Sequence, residues 1–264
     1  MSEPAAPEPR GDRAWRSPEE LRLALAFLTI LPLGPRSAVA RESVRESFAW
    51  FPICGFMIGA ALAAEDWLLG LMFGSTPKSI LLRSILIVLS LTVLTGAVHL
   101  DGLADTADAL GAGRDRERAL AIMRDSATGS FGAIALFFVL ALKTAALAAI
   151  VGHRRSAALY LAPGLARWAM VAVSRGLGYL RAQGAGAALL EADANGSFAF
   201  ASITTLAAVL IVPSRRMLGA CAACAIAALA LRGFYRRWVG GMTGDLIGAA
   251  GEMVEAIALM VMAI

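Results

Sequence analysis

Residues 99–132 read HLDGLADTADALGAGRDRERALAIMRDSATGSFG, and the rest of the chain is read outward from them. An apolar run precedes this stretch and another follows it, yet it carries five aspartates: Asp101, Asp105, Asp108, Asp115 and Asp125. Asp101, Asp105 and Asp108 stand at i, i+4 and i+7, which puts them on one face of a helix. Carboxylates stacked on one face repel each other unless a cation sits among them. Their oxygens suit Mg²⁺ and Mn²⁺, so a hard divalent ion is the expected occupant. The bland alternative is a solvated helix end with surplus acid. Against it, Gly102, Ala104 and Ala107 leave the backbone uncluttered. The cluster also abuts an apolar run, where carboxylates are costly and usually functional.

Composition says what those apolar runs are. The 264 residues are 58% hydrophobic and 17% charged, with mean hydropathy +0.69, whereas a soluble domain carries about 25% charged residues. Seven long apolar stretches lie at about 47–73, 79–98, 130–151, 157–174, 199–213, 217–231 and 246–264. The predicted fold is all-α, a polytopic helical membrane bundle of about seven transmembrane helices. Leu21–Leu33 is apolar over thirteen residues and ends at Pro32. That is short of the about 20 residues a span needs, so it is expected as a re-entrant or interfacial helix. Residues 1–20 are Pro-rich and polar, expected as a disordered tail without a signal-peptide pattern. Residues 21–264 then form a single integral membrane domain.

With seven spans, one set of flanks carries 16 of the 24 Lys and Arg residues. The opposite set carries six: Lys78, Arg83, Arg154, Arg155, Arg215 and Arg216. The bias places the N-terminus in the cytoplasm, and with it all the loops that bear motifs. Cys54, Cys221 and Cys224 lie in apolar runs, and the Cys221–Cys224 pair lacks further metal ligands nearby, so all three read as structural. The net charge of +4 is spread over loops rather than gathered in an arm. The expected partner is therefore the lipid bilayer, not nucleic acid.

An ion held by few carboxylates keeps positions open for substrate phosphates, which points to phosphoryl transfer. Arg114–Arg124 alternates charge as an interfacial helix does. Arg124, Asp125, Ser126, Gly129 and Gly132 lead straight into an apolar run, so their loop is a candidate phosphate site at a helix N-terminus. A second acidic stretch, GGMTGDLIGAAGEMVE at 240–255, places Asp245 and Glu252 seven residues apart on one helical face, with Glu255 one turn beyond. Two glutamates in an apolar span need a partner: a metal, protons, or a cation such as Arg167 or Lys143. Ion pairing within the bundle and substrate contact are both open for those two cations. His99 reads as a helix-end residue rather than a metal ligand, and His153 has no assigned role.

HLDGLADTAD, MRDS-x-x-G-x-x-G and G-x-TGD-x-x-GA-x-x-E-x-x-E, in this order, resemble the cobalamin synthase (adenosylcobinamide-GDP ribazoletransferase) family. FLTILP at 27–32 and FPICGFMIG at 51–59 are similar to that family's N-terminal pattern, so the resemblance runs from Phe27 to the end. Ile30 stands where the family usually has Arg, Ala109 where it usually has Gly, and Ala127 where a basic residue is common. LRAQGAGAAL at 180–189 is only loosely similar to the family's Gly-rich loop.

The resemblance implies an Mg²⁺-dependent enzyme of the bacterial inner membrane, acting in the final steps of vitamin B12 assembly. It would join adenosylcobinamide-GDP to α-ribazole or α-ribazole 5′-phosphate and release GMP. Asp101, Asp105, Asp108, Asp245 and Glu252 would form the metal and catalytic set, with Arg124, Asp125, Ser126, Gly129, Gly132, Arg167 and Gly244 contacting substrate. A second copy of the chain and other cobalamin-assembly enzymes are the protein partners it admits. Other readings remain, one of them another Mg²⁺-dependent membrane phosphotransferase. A prenyltransferase also uses acidic motifs and Mg²⁺, but typically two alike, unlike D-x₃-D-x₂-D paired with one Asp and two Glu. In a cation-coupled transporter Glu252 and Glu255 would bind the ion, but no internal duplication is visible.

Overall fold

A computed structural model describes residues 17–34, 41–181 and 194–264. The expected tail therefore lies, up to residue 16, outside the described residues. The first helix, α1 (Pro18–Leu28), opens with Pro at its first position and Glu19 and Glu20 in its first turn, as the dipole and the unneeded N–H favour. It is the short N-terminal helix expected from Leu21–Leu33, but it starts inside the expected tail. Its exit is docked onto the bundle by Ile30 N–H donating to the Leu94 carbonyl at 2.9 Å. Glu20 accepts from Trp50 Nε1 at 3.1 Å.

The remaining helices are α2 (Arg41–Ser47), α3 (Phe51–Phe73), α4 (Pro77–Leu94), α5 (Val98–Leu110), α6 (Arg116–Ile122), α7 (Ser130–Ala149), α8 (His153–Ser174), α9 (Ala194–Ile211), α10 (Arg215–Trp238) and α11 (Gly244–Ala263). Among the described residues, six segments are long and apolar enough to cross a membrane: Ser43–Phe73, which contains α3, together with α4, α7, α8, α10 and α11. The remaining expected stretch is α9, apolar but shorter. The chain is thus a multi-pass helical bundle. Its centre is α8 and α11, mostly buried, while α4, α7 and α10 turn large apolar side chains outward. Residues such as Leu89, Phe137 and Leu229 are exposed on this surface, as lipid-facing positions are.

Small residues set the closest approach. A Cβ added to Gly55 would run into the Pro163 carbonyl, and one on Gly59 would lie 2.5 Å from the Leu159 carbonyl oxygen. Pro163, inside α8, has no N–H for the Leu159 carbonyl, and α3 presses its glycine face against that freed oxygen. The three cysteines are free, with Cys54 and Cys224 buried.

The end of the bundle where α3 passes to α4 is closed by ions. Asp66 accepts from Arg83 Nη2 at 2.6 Å and from Arg155 Nη2 at 2.9 Å, all three buried. Arg155 also donates to the Leu147 carbonyl at 2.6 Å and to Ser84 at 3.1 Å. Arg83 and Arg155, expected among the flanking charges, are therefore internal. Without them the opposite set of flanks holds four Lys and Arg residues against sixteen, and the charge asymmetry is sharper than the sequence count implied.

Candidate active site

The Asp cluster is placed by a chain reversal after α4. Gly96 (φ 61°) and Ala97 (φ 56°) are both left-handed. Gly96 N–H returns to the Val93 carbonyl at 3.0 Å and Ala97 N–H to Thr92 at 2.9 Å. This paired closure ends α4 and frees α5 to run in a new direction. Then α5 lies against α11 through glycine on both sides. A Cβ on Gly102 would be 2.8 Å from the Asp245 backbone, and one on Gly248 would be 3.1 Å from the His99 Cα. That crossing brings acids from separate stretches together. Asp101, Asp105 and Asp245 line one cleft of about 650 Å³ with Met123, Arg124, Asp125, Ser126 and Arg181.

The segments flanking the cleft are also tied in. Arg116 Nε donates to the Val239 carbonyl at 2.7 Å and Trp238 Nε1 to the Gly113 carbonyl at 2.9 Å, joining the start of α6 to the end of α10. Asp115 caps α6, accepting from Arg118 N–H at 3.0 Å. Thr243 caps α11, its hydroxyl accepting from Leu246 N–H at 3.2 Å and donating to Asp245 at 3.2 Å. Asp125 holds its own loop by accepting from Ala127 N–H at 3.1 Å.

Four aspartates face two arginines in this cleft, an excess of two negative charges. Burial, and then the Asp101 and Asp245 carboxylates, push Asp105 up to about 6, against the pull of Arg181. An acidic cleft that raises a carboxyl pKa repels a phosphate unless a cation intervenes. Among the described residues, no group of three or more His, Cys, Asp or Glu stands arranged to hold a metal ion. An all-oxygen set of a few carboxylates in an open cleft nevertheless fits Mg²⁺, which keeps waters and shares its shell with phosphate oxygens.

Two expected members of the metal set are occupied elsewhere. Asp108 caps α7: its carboxylate accepts from Gly129 N–H at 2.7 Å and from Gly132 N–H at 2.9 Å. It shares a face with Asp101 but lies about 10.5 Å further along the axis. A Cβ at Gly129 or Gly132 would strike that carboxylate. The helix N-terminus expected to face phosphate already holds an anion.

Glu252 is likewise about 10.5 Å along α11 from Asp245. It accepts from Lys143 Nζ at 2.6 Å, Glu255 accepts from Lys143 at 2.9 Å, and Arg167 donates to Glu255 at 2.6 Å. Two cations and two anions balance in a buried quartet, which occupies Arg167 and leaves it 1% exposed. His99 is buried nearby, and desolvation, then Arg167, push its imidazole down to about 3, so it is neutral. Of the expected substrate contacts, Arg124, Asp125 and Ser126 line the cleft, while Gly244 is exposed beside Asp245 without lining it.

Arg181 and Thr243 were not singled out from the sequence. Arg181 donates from Nη2 to the Asp245 carboxylate and, at 2.8 Å, to the Met123 carbonyl. The one signal for it was a basic residue at the edge of the loosely matching Gly-rich loop.

The chain matches the family described as Cobalamin-5-phosphate synthase over residues 20–263. It is 40% identical to the adenosylcobinamide-GDP ribazoletransferase of Roseiflexus sp. (strain RS-1) over 260 residues, covering 98% of this chain and 95% of that one. It is 40% identical over 243 residues to the protein of the same name in Syntrophobacter fumaroxidans, covering 89% and 94%. The counterpart in Rhizobium johnstonii is 39% identical over 255 residues, covering 91% and 94%. No solved structure matches. On a match running through α1 to α11, with the acidic cleft inside it, the chain belongs to the Cobalamin-5-phosphate synthase family.

Proposed function

We propose that the chain is an adenosylcobinamide-GDP ribazoletransferase acting in the last steps of vitamin B12 assembly. The observation that carries this reading is the meeting of Asp101, Asp105 and Asp245 in one cleft, with Arg181 beside them. The substrate's pyrophosphate diester would enter that cleft. A free ribose hydroxyl of α-ribazole, or of its 5′-phosphate, loses its proton and forms a bond to the phosphorus that bears cobinamide, and the bond from that phosphorus to GMP breaks. A 5′-phosphate, where present, stays on the product. Asp101, Asp105 and Asp245 would hold Mg²⁺, which supplies charge neutralisation for the pyrophosphate and the departing GMP. The arginines supply donors to phosphate oxygens. Asp125, exposed at the rim with one oxygen tied to Ala127 N–H, fits the acceptor of the hydroxyl proton.

The same reading sets the protein in the bacterial inner membrane with the cleft on the cytoplasmic side, supported by the asymmetry of Lys and Arg. The transporter reading loses its ion site, because Glu252 and Glu255 are already paired with Lys143 and Arg167. The test is the purified chain in liposomes with adenosylcobinamide-GDP, α-ribazole or its phosphate, and Mg²⁺. A corrinoid product with stoichiometric GMP, lost on chelation, is expected. Intact substrate with no GMP would overturn the proposal.

A further inference from the structure

Arg181 is placed by backbone, not by its own helix. Leu180 N–H donates to the Met242 carbonyl at 2.9 Å and Met242 N–H to the Gly178 carbonyl at 2.9 Å. Gly241 permits this approach, since a Cβ there would lie 2.6 Å from the Gly178 carbonyl oxygen. The segment that carries Arg181 is therefore fixed to the entry of α11, the helix that carries Asp245. Only the side chain is left to move.

What it holds is in the wrong place for the chemistry. Asp245 Oδ2 accepts from both Thr243 and Arg181. A divalent cation on that same oxygen competes with the guanidinium, so a cation that Asp245 Oδ2 shares with Asp101 and Asp105 displaces Arg181. Both of the arginine's bonds to described residues come from Nη2, which leaves Nη1 and Nε without a partner among the described residues. A guanidinium offers five donors in a rigid fork that matches phosphate. With a cation neutralising the cleft's carboxylates, the phosphate of an incoming ligand is the anion that a released Arg181 meets.

We propose that Arg181 is a phosphate-binding residue that rests on Asp245 in the empty cleft. When a nucleoside diphosphate enters with its divalent cation, the guanidinium passes from the Asp245 carboxylate to a phosphate oxygen and keeps its bond to the Met123 carbonyl. Arginine thus screens the acids while the cleft is empty and joins the ligand when it is full. This rests on the transferase reading above and adds to it the residue that couples cation binding to phosphate binding.

The test uses the full-length chain in detergent and two probes, Mn²⁺ alone and GDP with Mg²⁺. In Arg181→Ala, Mn²⁺ alone is expected to bind about five- to tenfold more tightly, because its competitor for Asp245 is gone. GDP with Mg²⁺ is expected to bind at least about tenfold more weakly. Arg181→Lys keeps the charge but not the fork, so its Mn²⁺ affinity should stay near that of the parent while GDP affinity falls. Opposite signs for the two probes are not produced by a merely loosened cleft. Thermal melting checks folding, and the lysine variant decides if the alanine variant does not fold. Unchanged binding of both probes in both variants, or parallel weakening of both, would overturn the exchange. A parent protein that binds neither probe would instead overturn the transferase reading and the exchange with it.

Discussion

Asp105 takes the strain of the acidic cleft. Burial and the neighbouring Asp101 and Asp245 carboxylates raise it to about 6, well above the ordinary carboxylate value. The sign follows from linkage. The folded, cation-free state holds this proton more tightly than the unfolded chain does, so Asp105's contribution to stability is full at low pH and is lost as pH rises toward about 6. A divalent cation competes with that same proton. Mn²⁺ affinity is therefore expected to drop about tenfold between pH 7 and pH 5, a range that crosses the Asp105 transition. Asp105→Asn should abolish turnover with the helical melting profile kept. Full turnover in that variant would remove Asp105 from the reaction.

At the scale of elements, two helices that never share a loop build the cleft, and a third is closed off from it. Gly102 and Gly248 let α5 and α11 touch backbone to backbone, which fixes Asp101 and Asp105 relative to Asp245. Asp108, two turns along, is drawn instead to the open N–H groups of α7. Asp108→Ala should therefore cost about 1–2 kcal/mol of stability through the lost cap. The apparent Mg²⁺ requirement of the folded fraction should not change, and a raised requirement would return Asp108 to the ion. The sequence showed which residues share a helical face, because the i, i+4, i+7 spacing is angular. It did not show which of them reach one ion, because that depends on axial rise and on which neighbouring helix end competes for the carboxylate. Arg181 was illegible for a related reason: its placement comes from the Gly178–Met242 pairing, a contact between distant segments.

For the whole molecule, the helical bundle was legible because apolar runs of span length admit few other structures, whereas charges inside those runs carried no label of partner or purpose. Among the described residues, three charge groupings stand out along the bundle. The cleft has excess acid, the Asp66–Arg83–Arg155 end has excess base, and the Lys143–Arg167–Glu252–Glu255 quartet is balanced between α7, α8 and α11. Balance without an opening argues that the quartet fastens helices rather than binding an ion. Removing one partner leaves an uncompensated charge in a buried setting, so Lys143→Met alone should destabilise by about 3–5 kcal/mol. Adding Glu252→Gln removes the surplus anion, and the double variant should regain most of that loss, a coupling a double-mutant cycle measures directly. Thermal unfolding in detergent gives both values. The folded double variant should also show the parent's Mg²⁺ requirement, since Asp101, Asp105 and Asp245 are untouched. If its requirement rises instead, Glu252 serves the ion and the quartet is part of the active site.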